Sequence, residues 1–462
     1  MTQLPDNFFA GGTLVLSERE PSRSEPGFLV RTLGAENSFE TKHLHEYCYA
    51  EPSELSHDIA SLLGAVKLSD RSFPRHHARA WGRSLKVELP VFDLELWRRQ
   101  VVSESLRECL QYLTGDRWEI SFVKRRRKAE AKGQVHLLSA PERPRIFVPF
   151  SHGLDSFAQS ELLASQEHRL EIVRVNINSN RNSGTWKSLG RRGRARTIPV
   201  SSRVDEPHRT EPSFRTRPFI YDLMAAYGAA MSNAHRVLVP ENGQGSLGGS
   251  LVPLGIEAPH RSCHPGFTSR LGRFVFALTG RKVRFEHQAL FLTKGQVLSS
   301  LVKIRPNSSE WLAEHPSCSY DSRHAHDGGR KVHCGVCGNC LLRRLSVHAA
   351  GVVDLTPYRV ADIHAPTIEN AFGDRELPRE FSAYSDVAKN SARGMQRLAE
   401  LALEQDAPRV WAEIEGIARY QERSIAEIKE SMFELLRQHH AEWTAFLRHC
   451  GESSWVYRLA EG

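Results

Sequence analysis

At 462 residues the chain is longer than one typical domain, and a prior of ~150 residues per domain allows about three units. Hydrophobic residues make up 40% and charged residues 25%, both ordinary globular values, and no apolar run approaches the roughly 18 to 20 residues that span a bilayer. The formal charge of +8 invites a polyanionic partner such as tRNA. However, neither basic run, Lys124 to Lys128 or Arg191, Arg192, Arg194 and Arg196, is interleaved with aromatics as a single-strand groove would be. Solvated loops or an acidic partner account for these runs equally well. Met1 to Ala10 lacks a basic segment followed by an apolar core, so a cytoplasmic protein is expected.

The first 140 residues predict an α+β domain. Thr13 to Leu16 and Phe28 to Val30 are strand-like, Ser53 to about Leu68 a helix, and Ser84 to Leu89 an alternating strand. Leu94 to Leu113 has helical apolar spacing, and Trp118 to Val123 predicts another strand. Pro141-Glu142-Arg143-Pro144 makes a linker, because proline restrains its predecessor and cannot continue a helix or a central strand.

From Arg145 to about 355 strands alternate with helices, which predicts a parallel sheet covered on both faces. Strands are expected at Ile146 to Phe150, Leu170 to Val175, Thr197 to Val200 and Arg236 to Val239, with helices at Ser156 to Ala164 and Phe219 to Met231. The remainder, 356 to 462, is helical in period after Pro378, with segments at Val387 to Glu404, Ala407 to Tyr420 and Ile425 to Leu447.

Two segments carry chemistry. In the first, the strand ending at Phe150 feeds into Ser151-His152-Gly153-Leu154-Asp155-Ser156 and then a helix. Unpaired N–H groups at a helix N-terminus, aligned with its dipole, can hold a pyrophosphate together with the hydroxyls of Ser151 and Ser156. Gly153 permits close approach or positive φ, and Asp155 can cap the helix or hold the magnesium that accompanies a nucleotide triphosphate. An ordinary capped strand-to-helix turn explains the same residues. In the second segment, Cys318, Cys334, Cys337 and Cys340 have the two-residue spacers that let sulfurs converge on one zinc ion in a closed, structural shell. His324, His326 and His333 lie nearby and can substitute for one cysteine, be solvated or line an active site. Glu241 and Asn242, in Pro240-Glu241-Asn242-Gly243-Gln244-Gly245, follow the fourth strand, where ligands of open parallel sheets collect. They can read the amino-pyrimidine edge of a guanine-like base, or Asn242-Gly243 can merely form a turn. Lys294 and Arg215 are candidate phosphate contacts, although a solvated lysine at a helix start is a plain alternative for Lys294.

The hexapeptide from Ser151 to Ser156 resembles the Ser-Gly-Gly-x-Asp-Ser signature of the PP-loop ATP pyrophosphatases. His152 stands in place of the first glycine, so either the backbone there forgoes glycine's freedom or the imidazole reaches a phosphate or the substrate. Combined with Cys-x15-Cys-x2-Cys-x2-Cys, the hexapeptide resembles the 7-cyano-7-deazaguanine synthase (QueC) family over about residues 145 to 355. Tyr320 and Arg343, the Arg215 to Tyr227 segment and Thr293-Lys294 also fit that pattern, whereas the 240–245 loop departs from it. The resemblance implies a Rossmann-like PP-loop fold, ATP, Mg2+ and Zn2+ as cofactors, and adenylation of 7-carboxy-7-deazaguanine on the way to preQ0. It places ATP at residues 151 to 156 and Arg215, substrate at Glu241, Asn242 and Gly243, and catalysis at Asp155, Ser156 and Lys294. The long flanks resemble the anti-phage (QatC-like) branch, which implies protein partners from the same operon that dock on the terminal extensions and an amine other than ammonia as acceptor. A housekeeping preQ0 synthase, a tRNA-modifying PP-loop enzyme and a noncatalytic nucleotide sensor are the alternatives.

Overall fold

A computed structural model gives the fold and describes residues 10–18, 27–33, 38–76, 80–126, 144–178, 195–202, 204, 210–253, 255, 258–320, 325–327, 330–379, 381–404 and 406–462. The linker expected at 141–144, except Pro144, lies outside them, as do Arg127, Lys128, Arg191, Arg192, Arg194 and His324.

In chain order, β1 (Ala10–Ser17), β2 (Phe28–Thr32) and β3 (Phe39–Glu40) precede α1 (Lys42–Cys48) and α2 (Glu54–Ser72). Next come β4 (Arg83–Val91), α3 (Leu94–Arg98), α4 (Gln100–Thr114) and β5 (Arg117–Lys124). The expected alternation follows: β6 (Arg145–Pro149), α5 (Leu154–Gln166), β7 (Glu171–Asn178), β8 (Ala195–Ser202), α6 (Arg217–Met231) and β9 (Arg236–Leu238). Then come α7 (Gly243–Leu251), α8 (Pro265–Thr279), β10 (Arg284–Glu286), α9 (Lys294–Ile304) and α10 (Ser308–Glu314). A small hairpin of β11 (His326–Asp327) and β12 (Arg330–Lys331) leads to α11 (Gly338–Ala349). The chain ends in α12 (Phe381–Glu400), α13 (Pro408–Gln421), α14 (Ile425–Cys450) and α15 (Trp455–Glu461). Among the described residues no helix is long and apolar enough to cross a membrane.

The chain divides into two compact units, whose boundaries cut across the expected division at 140 and 355. The first comprises Met1–Ser151, Glu167–Val239 and Gly255–Gln288, and holds two sheets. One has the order β2-β1-β4-β5 and every pairing in it is parallel, which corrects the α+β expectation for the N-terminal region to α/β. The strands expected here are found, but parallel pairing depends on crossover connections that local periodicity does not encode. α2 begins with a capping box, Ser53 accepting from the Ser56 amide and Ser56 from the Ser53 amide, and buries Ile59, Leu62, Leu63 and Val66. Arg75 and Arg83 lie between the carboxylates of Asp70 and Asp116, all four side chains being at most 3% exposed. Each buried charge is thereby matched by an opposite one.

The second sheet of this unit has the order β10-β9-β6-β7-β8-β3, parallel except for the edge strand β3. β6 is buried throughout, and Ile146 to Pro149 give it the unbroken apolar run of a central parallel strand. With β7 and β8 on one side of it and β9 and β10 on the other, the strand order reverses at β6. This is the switch point at which open α/β sheets bind ligands beyond the carboxyl ends of their strands. Asp155 and Asn242 follow β6 and β9 in the chain and belong to the second unit.

The second unit comprises His152–Gln166, Pro240–Leu254 and Ala289–Gly462. One core packs α11, α12, α14 and α15 around residues such as Leu341, Phe372, Trp443 and Trp455, and another packs α7 against α13 and α14 through Leu247, Ile414, Ile417 and Leu436. The helical tail is therefore built into the same unit as α5, α7 and α9.

The basic run at 124 is less free than its composition implies. Lys124 Nζ donates to the Phe92 carbonyl, and the Arg125 guanidinium lies 4.4 Å from the Phe92 ring centroid and 3.8 Å from Glu18.

Candidate functional site

The four cysteines converge. Cys318 follows α10, Cys334 and Cys337 flank a tight loop after β12, and Cys340 sits in the first turn of α11. Gly335 has φ 91°, and a Cβ there would lie 2.4 Å from the Val360 carbonyl, so the loop between the first two close cysteines requires glycine. The four sulfurs lie within 4.8 Å of one another, with Cys334 and Cys340 3.7 Å apart. A tetrahedron with Zn–S bonds of about 2.3 Å has edges of about 3.8 Å. Backbone N–H groups support the sulfurs: Cys337 N donates to Cys334 Sγ at 3.3 Å and Cys334 N to Cys318 Sγ at 3.4 Å. This donor set, buried among residues of α11 and α12, can hold a metal ion such as zinc.

The nearby candidates take other duties. His333 Nε2 accepts from the Ser317 amide at 3.1 Å, and burial pushes its pKa down to about 4, so it is a neutral acceptor and not a replacement for a cysteine. His326 lies in the β11 hairpin. Arg343 is fully buried and donates to Thr356 Oγ1, Ser317 Oγ and the carbonyls of His315 and Leu312, holding the cysteine-bearing segment in place. The Tyr320 ring packs 5.9 Å from that of Tyr384.

A second cluster forms around Asp155, at the second position of α5. Its Oδ2 lies 2.6 Å from Nζ of Lys294, the first residue of α9, whose side chain is only 3% exposed. Its Oδ1 accepts from Asn242 Nδ2 at 3.0 Å. Asn242 is the N-cap of α7: its Oδ1 accepts from the Gly245 amide, which fixes the orientation of the side-chain amide, and its Nδ2 also donates to Glu241 Oε1 at 2.7 Å. A Cβ at residue 245 would come within 2.4 Å of that Glu241 oxygen, so Gly245 keeps the position open. Burial first, and the Asp155 charge second, raise the Glu241 carboxyl to about 8, with Lys294 opposing the shift. Two carboxylates sharing one amide and one ammonium thus reach charge balance by retaining a proton on Glu241.

The other predicted residues are placed less directly. Ser151 belongs to the first unit, as does Arg215, which donates to the Ala258 carbonyl at 2.9 Å. Ser156 is buried and its hydroxyl donates to the Gly153 carbonyl at 3.0 Å, while Leu154 is buried and its amide donates to the Pro316 carbonyl. His152 has φ 58°, so histidine itself adopts the left-handed backbone that glycine would favour. That corrects the expectation that the loop forgoes that conformation. Its carbonyl lies 3.2 Å from His315 Nδ1. Gly243 makes a packing contact: its amide donates to the Leu292 carbonyl, and a Cβ there would lie 2.4 Å from the Leu290 carbonyl. The reading of 240–245 as a mere turn is replaced by the capped start of α7.

Sequence reasoning misses the residues behind this cluster. Gln244 accepts the Lys294 amide at 2.8 Å and donates to His439 Nδ1 at 2.8 Å, and Glu442 accepts from Thr293 Oγ1 at 2.6 Å. Their only sequence signal is that His439 and Glu442 are polar residues three apart on the apolar stripe of a long helix. No protein-family model, curated protein or solved structure matches the chain significantly.

Proposed function

We propose that the chain is a magnesium- and ATP-dependent adenylating enzyme whose substrate is the carboxylate of a 7-deazaguanine. The observation that carries this reading is the placement of Asp155, one residue into the helix that follows Ser151 to Gly153, against both Lys294 and Asn242. Three segments far apart in sequence bring a carboxylate, an ammonium and an amide to one helix N-terminus, the end of a helix dipole that favours an anion such as phosphate.

A carboxylate is a poor electrophile because oxide cannot leave. In the proposed reaction its oxygen attacks the α-phosphorus of ATP, the bond to the bridging oxygen breaks and pyrophosphate departs, leaving an acyl adenylate. An amine then attacks the acyl carbon, AMP leaves with the bonding pair, and the nitrogen loses a proton to give the amide. Asp155 would hold magnesium, which would supply positive charge against the pyrophosphate. Lys294, held beside Asp155, supplies a second positive charge toward the phosphates. Glu241 is the residue proposed to meet the amino-pyrimidine edge of the base, with Asn242, whose amide hydrogens are donated to Asp155 and Glu241, holding it in place.

The substrate class rests on the resemblance to 7-cyano-7-deazaguanine synthases, and the anti-phage setting with a protein-borne amine rests on the long flanking regions. Zinc-replete protein is incubated with magnesium-ATP and 7-carboxy-7-deazaguanine, AMP is measured, and product mass is read with ammonia or a candidate partner protein as acceptor. The reading requires AMP formation that depends on the deazaguanine and is lost in Asp155→Ala. ATP bound without cleavage under every condition would support a nucleotide-sensing role instead, and nitrile formation from ammonia alone would sink the defence reading.

A further inference from the structure

We infer that helix α14, in the C-terminal region outside the sequence resemblance, is part of the catalytic machinery: His439 and Glu442 are positioning residues that set Lys294 and Asn242 against Asp155. This rests on the adenylation reading for its consequence in turnover, but the positioning itself is a property of the fold.

The two partners of Asp155 stand at helix starts, Asn242 as the N-cap of α7 and Lys294 as the first residue of α9. Each first turn is gripped by α14. Gln244, two residues after Asn242, spans the two helices: its Oε1 accepts the Lys294 amide and its Nε2 donates to His439 Nδ1. His439 is fully buried and its other nitrogen lies 3.0 Å from the Met395 carbonyl. With Nδ1 accepting, Nε2 must carry the hydrogen and donate to that carbonyl. One neutral tautomer therefore satisfies the whole line, Met395 to His439 to Gln244 to Lys294. One helical turn further on, Glu442 Oε1 accepts from the hydroxyl of Thr293, the N-cap of α9, and from Gln438 Nε2 at 2.9 Å. A Cβ at Gly295 would lie 2.8 Å from this carboxylate, so the glycine after Lys294 permits the approach.

α14 is itself braced by α12, through the Met395 contact and the bond from Trp443 Nε1 to Gln396 Oε1 at 2.8 Å. All of these residues are in the second unit. Lys294 is set by its backbone as well as its side chain: moving the α9 start by a fraction of an ångström alters the 2.6 Å approach of Nζ to Asp155.

The test compares His439→Ala, His439→Asn and Leu436→Ala in the full-length protein. Leu436 lies one turn earlier on α14 in an apolar core, so its truncation reports loss of stability alone. Asn places an oxygen where Nδ1 stands. The first readout is the rate at which acetic anhydride labels Lys294 in the folded protein, followed by mass spectrometry. A lost buried hydrogen bond is worth roughly 1 to 1.5 kcal/mol, so His439→Ala should raise labelling about tenfold. His439→Asn should restore the slow rate and Leu436→Ala should leave it near wild type. The second readout is AMP formation, where His439→Ala should lower kcat about tenfold with little change in the KM for ATP, by the same arithmetic. Equal Lys294 labelling in His439→Ala and Leu436→Ala overturns the positioning role. Selective labelling without AMP formation by wild type leaves the positioning role standing and removes the adenylation reading.

Discussion

Replacing Asp155 by asparagine and replacing Lys294 by methionine should each destabilise the fold but move the Glu241 carboxyl in opposite directions. At the 2.6 Å separation of the pair, the attraction is about 6 kcal/mol before desolvation at an effective dielectric of about 20. Desolvation offsets much of this, and breaking one partner of a buried pair typically costs about 3 to 5 kcal/mol. Asp155 is 21% exposed and Lys294 3%, so solvent reaches the carboxylate more readily than the ammonium. The Asp155→Asn variant, which strands the ammonium, should therefore lose about 3 kcal/mol, and Lys294→Met about 2 kcal/mol, in urea unfolding followed by circular dichroism. The double variant should be less destabilised than the sum, with a coupling of about 2 kcal/mol. Glu241 gives an independent sign. Its carboxyl, raised to about 8, is pushed up by the Asp155 charge and held down by Lys294. Asp155→Asn must lower that value and Lys294→Met must raise it, as read by difference infrared or carbon NMR titration of the carboxyl. Additive stabilities in the cycle, together with shifts of the same sign at Glu241, would refute the coupled cluster.

Three further outcomes follow from the same geometry. Because Glu241 in the folded chain keeps a proton from its ordinary 4.5 up to about 8 while the unfolded chain releases it, its contribution to stability falls as pH rises through that window. Glu241→Gln, which keeps the acceptor for Asn242, should gain stability relative to wild type between pH 5 and pH 9, and a difference in melting temperature that is flat with pH would contradict this. His152→Gly removes a side chain from a left-handed backbone at φ 58°, and should raise the stability of the loop-bearing unit by about 0.5 to 1 kcal/mol with ATP binding retained. A lowered melting temperature would show that the imidazole does more than occupy the position. Elemental analysis should find zinc in the wild type and none in Cys337→Ser, which should also unfold less cooperatively, since three thiols leave the tetrahedral shell open. Retention of full metal content would exclude Cys337 as a ligand.

Much of the architecture is legible in local pattern. The buried run Ile146 to Phe150, the alternating Ser84 to Leu89 and the long amphipathic helix near 425 to 447 each carry the period of the element they form. The cysteine cluster is legible because its spacing alone constrains the sulfurs. What escapes is set by interactions between distant segments. The parallel pairing of β1 with β2 and β4 needs crossovers that no window of sequence contains. The α7 start reads as a turn because Gly243, Gly245, Gly248 and Gly249 lower helix propensity, while the Asn242 cap and burial of Leu247 and Leu251 override that preference. The His439 and Glu442 supports are invisible for the same reason: a polar residue on an apolar stripe does not announce its partner. Asp155, Asn242 and Lys294 are each singled out by position, but only the fold brings the amide and the ammonium within hydrogen-bonding distance of the carboxylate.

The most direct test of the central claim is pyrophosphate exchange into ATP. Wild-type protein with magnesium, ATP, radiolabelled pyrophosphate and 7-carboxy-7-deazaguanine, but no amine, should return label into ATP, because adenylation of the carboxylate is reversible. The exchange should need the deazaguanine, vanish in Asp155→Asn and fall sharply in Lys294→Met. Exchange independent of the deazaguanine, or unaffected by these substitutions, would contradict an adenylating site built on Asp155 and Lys294.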